Sequence, residues 1–401
     1  MCFCILIIIF FLTSCSDDVE NFSVLSTPKL SCKETYQLKK SNVNLSIEVP
    51  KENRGLSYYF VQLLNDSLLY CRTFERPNEV HLYDIKNKIF LRKIFLDIGL
   101  KNIDLSKIGS FAVAKNQDII LNRNGIFYIF NNLGKLKRAI NCSDITYKDS
   151  VSNDNIPMTA VPFSIYFASE PIAIDSAKLL ISFQSPESFN IKGHDYYRAG
   201  IVDLETKRCI KYLAKPTDNV YALMKNSAYN PDLTMSYKLL KGDTLIISYP
   251  MDHYVYGYNI KSGKEIFKKL ACSKNVKALP SPLPKSDYLD RKTKWDFRIS
   301  TPFYEPLYYH SKLKMYTRII HYPQAVTLAD GKLNNGEKRT SSVIILDSSL
   351  NIVGETKFEN SFLGIYKSFP TSDGLVFGSQ NQAEKTNSKL IYNNYYTIDK
   401  I

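Results

Sequence analysis

Tryptophan is nearly missing from this chain: Trp295 is the single one in 401 residues. Without recurring Gly-His and Trp-Asp marks, the WD-repeat signature is excluded. No apolar run reaches membrane-spanning length. The run Cys4–Leu12 has nine residues, against about 20 for a helix that crosses a bilayer. Arginine is scarce, supplying 12 of the 52 basic residues. The net charge of +13 therefore rests on lysine, a hydrated point charge without the planar fork that reads phosphate and base edges. With the lysines spread along the chain, this is a solvated surface and not a nucleic-acid binder. The five histidines, at 81, 194, 253, 310 and 321, show no metal-binding spacing, and no GxSxG elbow, Walker loop or dinucleotide fingerprint occurs. No cofactor and no metal are implied. Helical periodicity is almost absent, which leaves strands.

What is present begins at the N-terminus. A nine-residue apolar core followed by Leu12-Thr13-Ser14-Cys15 is similar to a signal peptide ending in the lipobox of bacterial lipoproteins. Residues 1–14 are expected to be removed and Cys15 to carry lipid, with acyl chains that anchor the chain in a membrane. Met1–Phe3 lacks the basic residues such a signal carries, which points to a start further upstream. Ser16-Asp17-Asp18-Val19-Glu20 resembles the acidic export tag of outer-leaflet lipoproteins; such residues also make a solvated tether. The expected division is signal 1–14, lipidated tether 15–30 and one folded domain 31–401, on the outer membrane and facing the cell exterior, with the periplasmic side as the alternative. Of the eight cysteines, Cys32, Cys71, Cys142, Cys209 and Cys272 stay in the domain. Their odd number and wide spacing fit buried thiols, with room for one bridge, and not a zinc site or disulfide framework.

From residue 58 onward, short runs of Ile, Val, Tyr and Phe alternate with turns of Asn, Asp, Gly, Ser and Lys. One kind of turn joins two short strands, as at Asn65-Asp66, Lys115-Asn116, Asp175-Ser176, Lys241-Gly242, Ser311-Lys312 and Ser372–Gly374. Successive members lie about 50 to 70 residues apart, the spacing of propellers and arrays. A second kind closes Leu82–Ile85, Ile126–Phe130, Ile201–Leu204, Tyr258–Ile260 and Ile344–Leu346, where Asp and Asn satisfy turn backbone. Each repeat reads as four antiparallel strands, the first being Tyr58–Leu64, Ser67–Thr73, Val80–Ile85 and Ile89–Leu96. Five repeats are complete to about Phe358. The sixth, Ile365–Phe369, Leu375–Gly378 and Leu390–Ile398, has three strands. Thr35–Leu38 or Leu45–Val49 is expected to supply the fourth and close the ring. The fold class is thus all-β, a six-bladed β-propeller of four-stranded antiparallel blades closed by an N-terminal strand; a pair of β-sandwiches is the alternative.

The lipobox, acidic tag and repeats of strand, Asp, apolar, polar, Gly or Thr, and Lys resemble a large family of Bacteroidota lipoproteins. That resemblance implies a six-bladed propeller of unknown function and no catalytic residues.

In a four-stranded blade the first and third hairpins open on one face, the second hairpin and the crossing to the next blade on the other. The long connections, 141–169, 185–196, 214–236, 271–301 and 321–339, all belong to the second face. Insertions confined to one face mark a binding face, or else cap the channel. They contain Tyr166, Tyr196, Tyr229, His321 and Tyr322, besides the five residues chosen for the site: His194, Tyr197, Arg198, Trp295 and Arg298. Flat aromatics with arginine suit sugar rings and peptide segments. The expected function is a monomeric cell-surface binding or interaction module for a glycan or protein. A glycan- or peptide-cleaving hydrolase or lyase on the same face is the alternative, with loop carboxylates such as Asp144, Asp154, Asp195 and Asp232 available.

Overall fold

A computed structural model of the chain describes residues 25–26, 34–42, 45–53, 56, 58–73, 75–97, 99, 105, 110–123, 126–141, 146–148, 155–157, 171–175, 177–182, 198–214, 236–276, 278–279, 290–334, 339–359, 369–377, 389–392 and 394–401.

Five four-stranded antiparallel sheets follow one another along the chain. Blade 1 is Tyr58–Leu64, Leu68–Thr73, Glu79–Asp84 and Ile89–Phe95. Blade 2 is Ser110–Val113, Ile119–Arg123, Ile126–Phe130 and Leu136–Asn141. Blade 3 is Ile172–Ala173, Lys178–Ser182, Ala199–Asp203 and Arg208–Leu213. Blade 4 is Tyr237–Lys241, Thr244–Ser248, Tyr254–Asn259 and Glu265–Leu270. Blade 5 is Phe303–His310, Met315–His321, Ser341–Leu346 and Ile352–Phe358. In each, sheet order equals chain order.

Blade 6 is composite. Phe369–Pro370, Gly374–Phe377 and Asn394–Lys400 form its first three strands, and Tyr36–Lys40 its outer one. Tyr36–Lys40 pairs antiparallel with Tyr396–Lys400. Of the two N-terminal candidates, the first closes the ring. The second, Leu45–Glu48, pairs with Lys389–Tyr392 in a separate ribbon, so the last strand of blade 6 starts at Asn394 and not at Leu390.

The turns explain why these segments pair. In blade 1, Asn65 and Asp66 hold φ of 53° and 55°, left-handed positions that Asn and Asp tolerate in the tight turn 65–67 between the paired Leu64 and Leu68. The third hairpins share one device. Asp84, Asn131, Asp203, Asn259 and Asp347 each accept two backbone N–H groups of the turn on Oδ1. Each of these hairpins also carries a bulge in the outer strand, just after the turn, which sharpens the twist of that strand.

Six apolar clusters fill the spaces between adjacent sheets. Tyr70 and Phe111 meet between blades 1 and 2, Ile120 and Val202 between 2 and 3, and Leu180 and Tyr256 between 3 and 4. Val255 and Ile344 meet between blades 4 and 5, Ile319 and Phe377 between 5 and 6, and Val61 and Val376 between 6 and 1. Six interfaces for six sheets is a closed ring. The second and third strands of blades 1 to 5 are buried on both faces, hence their near-continuous apolar runs, while the outer strands keep exposed positions.

The connections sort as the sequence predicts. The long ones, residues 142–171, 183–198, 214–236, 271–302, 322–340 and 378–393, are blade crossings or second hairpins. Among the described residues they include the two-stranded piece Thr146–Lys148 with Asn155–Pro157 and one helix, α1, Arg291–Ser300.

Cys71 and Cys272 are buried free thiols. Cys32 and Cys142 lie outside the described residues, as do the signal segment and Cys15. Among the described residues no helix is long and apolar enough to cross a membrane.

Candidate functional site

Helix α1 and the second hairpin of blade 5 form a built structure on the long-connection face. Asp290 caps the helix, its carboxylate accepting the Thr293 N–H at 2.7 Å, and the cap holds its pKa below the ordinary carboxylate range. Lys292 and Asp296 pair one turn apart at 2.7 Å. Pro302 stops the helix. The inward side buries Ile299 and packs Phe297 against the core between blades 4 and 5. Arg291 and Trp295, one turn apart, are exposed on the outward side, while Arg298 is half-buried. Trp295 is 42% exposed, with its indole N–H donating to the Asn334 carbonyl at 3.2 Å.

Arg339 fastens helix to hairpin. Its guanidinium, 3% exposed, donates to the carbonyls of Tyr322 (2.6 Å), Arg298 (3.1 Å), Ile299 (3.1 Å) and Thr301. It stacks over the Phe303 ring at 4.8 Å. Burial, then the charge of Arg298, brings its pKa down to about 10, so it stays charged. The hairpin between them turns back on itself, with Thr327 opposite Leu333. Leu328 and Leu333 are 44% and 61% exposed.

Beneath this cap lies a chain of hydrogen bonds. His321 Nδ1 meets Ser341 Oγ at 2.7 Å and its Nε2 meets Glu305 Oε1 at 3.0 Å. All three residues have no solvent exposure. Burial above all, with Arg339 and Arg298 adding to it, lowers the His321 pKa. Ser, His and Glu in hydrogen-bonded sequence have the composition of a nucleophile relay. Blade 1 repeats the plan with Tyr58, His81 and Glu79, joined at 2.7 and 3.0 Å around a fully buried imidazole. In blade 4, His253 Nδ1 meets the Tyr304 hydroxyl at 2.8 Å. Recurrence in three blades, each time around a buried imidazole, makes these pairings part of how polar groups are accommodated between sheets.

The predicted residues fare differently. Trp295 and Arg298 share helix α1. Arg198 opens the third strand of blade 3 and is 3% exposed; its charge is felt by the buried Tyr249 of blade 4. It is an interior group in this fold. His321 and Tyr322, expected in a loop, are buried as well. His194, Tyr197, Tyr166, Tyr196, Tyr229 and the carboxylates Asp144, Asp154, Asp195 and Asp232 lie outside the described residues. Arg339 and Glu305 were missed. Arg339 stood at the boundary of a loop, and Glu305 in an apolar strand, where an unexplained charge was a signal. Among the described residues no group of three or more His, Cys, Asp or Glu is arranged for a metal ion.

Residues 35–357 match the model of a domain of unknown function, DUF4221. The chain belongs to the DUF4221 family. A crystal structure of a DUF4221 member from Bacteroides vulgatus superposes with a TM-score of 0.65 at 16% identity, covering 92% of this chain and 100% of that one. At that identity the likeness speaks for the DUF4221 fold. Weaker matches are hydrazine synthase of Kuenenia stuttgartiensis, with a TM-score of 0.38, 9% identity and 80% and 74% of the two chains covered, and a chain of a mitotic checkpoint complex, with 0.40, 10%, 94% and 90%. No curated protein sequence matches this DUF4221 chain.

Proposed function

We propose that this DUF4221 protein is a binding or interaction module, held to the outer membrane by lipid on Cys15 and facing the cell exterior, with its ligand surface on the long-connection face. The observation that carries the reading is the asymmetry of the propeller. The first and third hairpins are short on one face, while the six long connections share the other, and in blade 5 they build a fixed cap and not a bare loop. Lateral growth of one face of a repeat scaffold, with the other kept minimal, is how such folds make binding surfaces. The anchor rests on Leu12–Cys15 and the surface location on the acidic run 16–20.

Trp295 and Arg298 are the residues this reading places at the surface, with a stacking ring and a cation for a glycan or protein ligand. The alternative, a hydrolase or lyase, needs convergent ionisable groups open to a substrate; those of the described cap, Glu305 and His321, are sealed. The test is an array of immobilised glycans, peptides and lipids probed with the soluble chain. Trp295→Ala and Arg298→Ala are expected to lower binding at unchanged melting temperature, whereas Ser311→Ala on the short-turn face leaves it alone. Binding that survives both cap variants removes them from the ligand surface, and turnover of an arrayed molecule favours the enzyme.

A further inference from the structure

We infer that the blade 5 cap docks on an anionic phospholipid surface, with Trp295, Leu328 and Leu333 seated among the headgroups and the basic end of helix α1 against phosphates. The inference deepens the binding reading of this face by naming its partner, and it rests on that reading.

Three observations converge on the cap. The first is composition. Of the large hydrophobic side chains exposed among the described residues, three belong to this one structure: Trp295 at 42%, Leu328 at 44% and Leu333 at 61%. Trp295 satisfies its N–H internally on Asn334 and leaves its ring outside. An amphipathic ring so held is the type enriched where membrane meets water. The second is charge. Arg291 and Lys292 are exposed beside the ring on the first turn. Lys332 neighbours Leu333 on the hairpin and is 80% exposed. Lys292 pairs with Asp296 at 2.7 Å and Lys332 with Asp330 at 3.1 Å; across the helix and the described hairpin Arg291, Lys292, Lys294, Arg298 and Lys332 still exceed Asp290, Asp296 and Asp330 by two charges. A helix with basic and aromatic residues outward lies in an interface plane and is drawn to anionic lipid.

The third is where the chain enters. Leu25–Ser26 pairs with Ala278–Leu279, within the same crossing, residues 271–302, that carries helix α1. Leu25 stands ten positions after Cys15, and ten extended residues reach at most about 35 Å. A lipid on Cys15 would thus hold the bilayer within that distance of the cap's own crossing. A sugar or peptide site has no need of this arrangement; a surface that meets the membrane does.

The test uses the full chain carrying Cys15→Ala, so that no acyl chain contributes, and vesicles of phosphatidylglycerol with phosphatidylethanolamine. Trp295 is the only tryptophan, so its emission reports the cap alone. It is expected to shift to the blue on adding vesicles and to be quenched by brominated acyl chains. Leu333→Ser and the pair Arg291→Glu with Lys292→Glu are expected to weaken partitioning, the pair by about fivefold for each charge removed. Ile266→Ser, an exposed residue on the outer strand of blade 4, leaves it unchanged. Emission that does not move, or partitioning indifferent to Leu333→Ser and to the charge reversals, overturns the inference. So does an arrayed glycan or peptide that quenches Trp295 while vesicles do not, an outcome that would keep the binding face and discard the membrane. Fatty-acid labelling of the native chain, lost in Cys15→Ala, tests the anchor separately.

Discussion

Four histidines stand among the described residues, and all four are buried: His81, His253, His310 and His321. Their imidazoles are satisfied by neutral partners on at least one nitrogen, Tyr58, Tyr304, Thr317 and Ser341 respectively. Burial lowers the pKa of His81, His310 and His321 below the ordinary histidine value, so the folded protein holds them neutral. The unfolded chain takes up protons on them near pH 6.5. Below that pH the unfolded state binds more protons than the folded one, so stability falls as pH falls through the unfolded value. Each histidine contributes at most about 1.4 kcal/mol per pH unit. Asp252 acts in the opposite sense, since burial raises its pKa and favours the protonated, folded form in acid. Three groups outweigh one over this range. Denaturant midpoints are expected to drop between pH 7 and pH 5, above the carboxylate range, and His321→Gln is expected to flatten that slope while lowering stability at pH 7. A midpoint constant over those two units would mean the imidazoles are as easily protonated folded as unfolded.

Elements were legible wherever local chemistry repeats. The third hairpins were read from Asp84, Asn131, Asp203, Asn259 and Asp347, and these side chains do accept the turn N–H groups. Helix α1 was not read, because its apolar residues Trp295, Phe297 and Ile299 alternate like a strand. Its signal was at the ends: Asp290 three residues before Thr293, and Pro302 beyond the last turn. The cap's real fastening, Arg339, was illegible, since only folding brings it to the carbonyls of residues 298, 299, 301 and 322. Arg339→Lys keeps the charge but supplies one ammonium where a planar fork spans two strands of carbonyls. At least two of those acceptors are then left dry, at roughly 1–3 kcal/mol each for a buried unsatisfied group. The expected result is a global loss of about 2–4 kcal/mol in denaturant unfolding, with earlier hydrogen exchange in 291–301 than in the blade 5 strands. Exchange that remains uniform across both would show that the helix is held by its apolar side and not by Arg339.

At the scale of the molecule, the count of blades and the closing strand could be argued from a sixth repeat that lacks one strand. Which N-terminal segment fills the gap could not, because Thr35–Leu38 and Leu45–Val49 are both short and apolar enough. The choice is made by fit against blade 5. Thr35 donates its N–H to Val353 at 2.8 Å, Leu38 donates to Thr356 Oγ1 at 2.7 Å, and Ile401 donates back to Thr35 at 2.9 Å. Gly354 lets the two outer strands approach, since a Cβ there would stand 1.9 Å from the Tyr36 carbonyl oxygen. The neighbour is backbone, so nothing flexible can give way. Gly354→Ala must therefore push Tyr36–Lys40 off its seat or distort blade 5, at roughly 1–3 kcal/mol. Deleting residues 31–50 goes further, exposing the edge Asn394–Lys400 and opening the core around Leu38, Ile319 and Phe377. Because the six interfaces form one loop, loss at this seam is expected to lower the single melting transition of the whole propeller, by several degrees for Gly354→Ala and to the point of aggregation for the deletion. Alanine is the sharper probe, since it removes no contact and acts only through the approach of two strands. A Gly354→Ala protein that melts with its parent would mean that blade 6 is not held against blade 5 by this strand, and the closure drawn from Tyr36–Lys40 would fall with it.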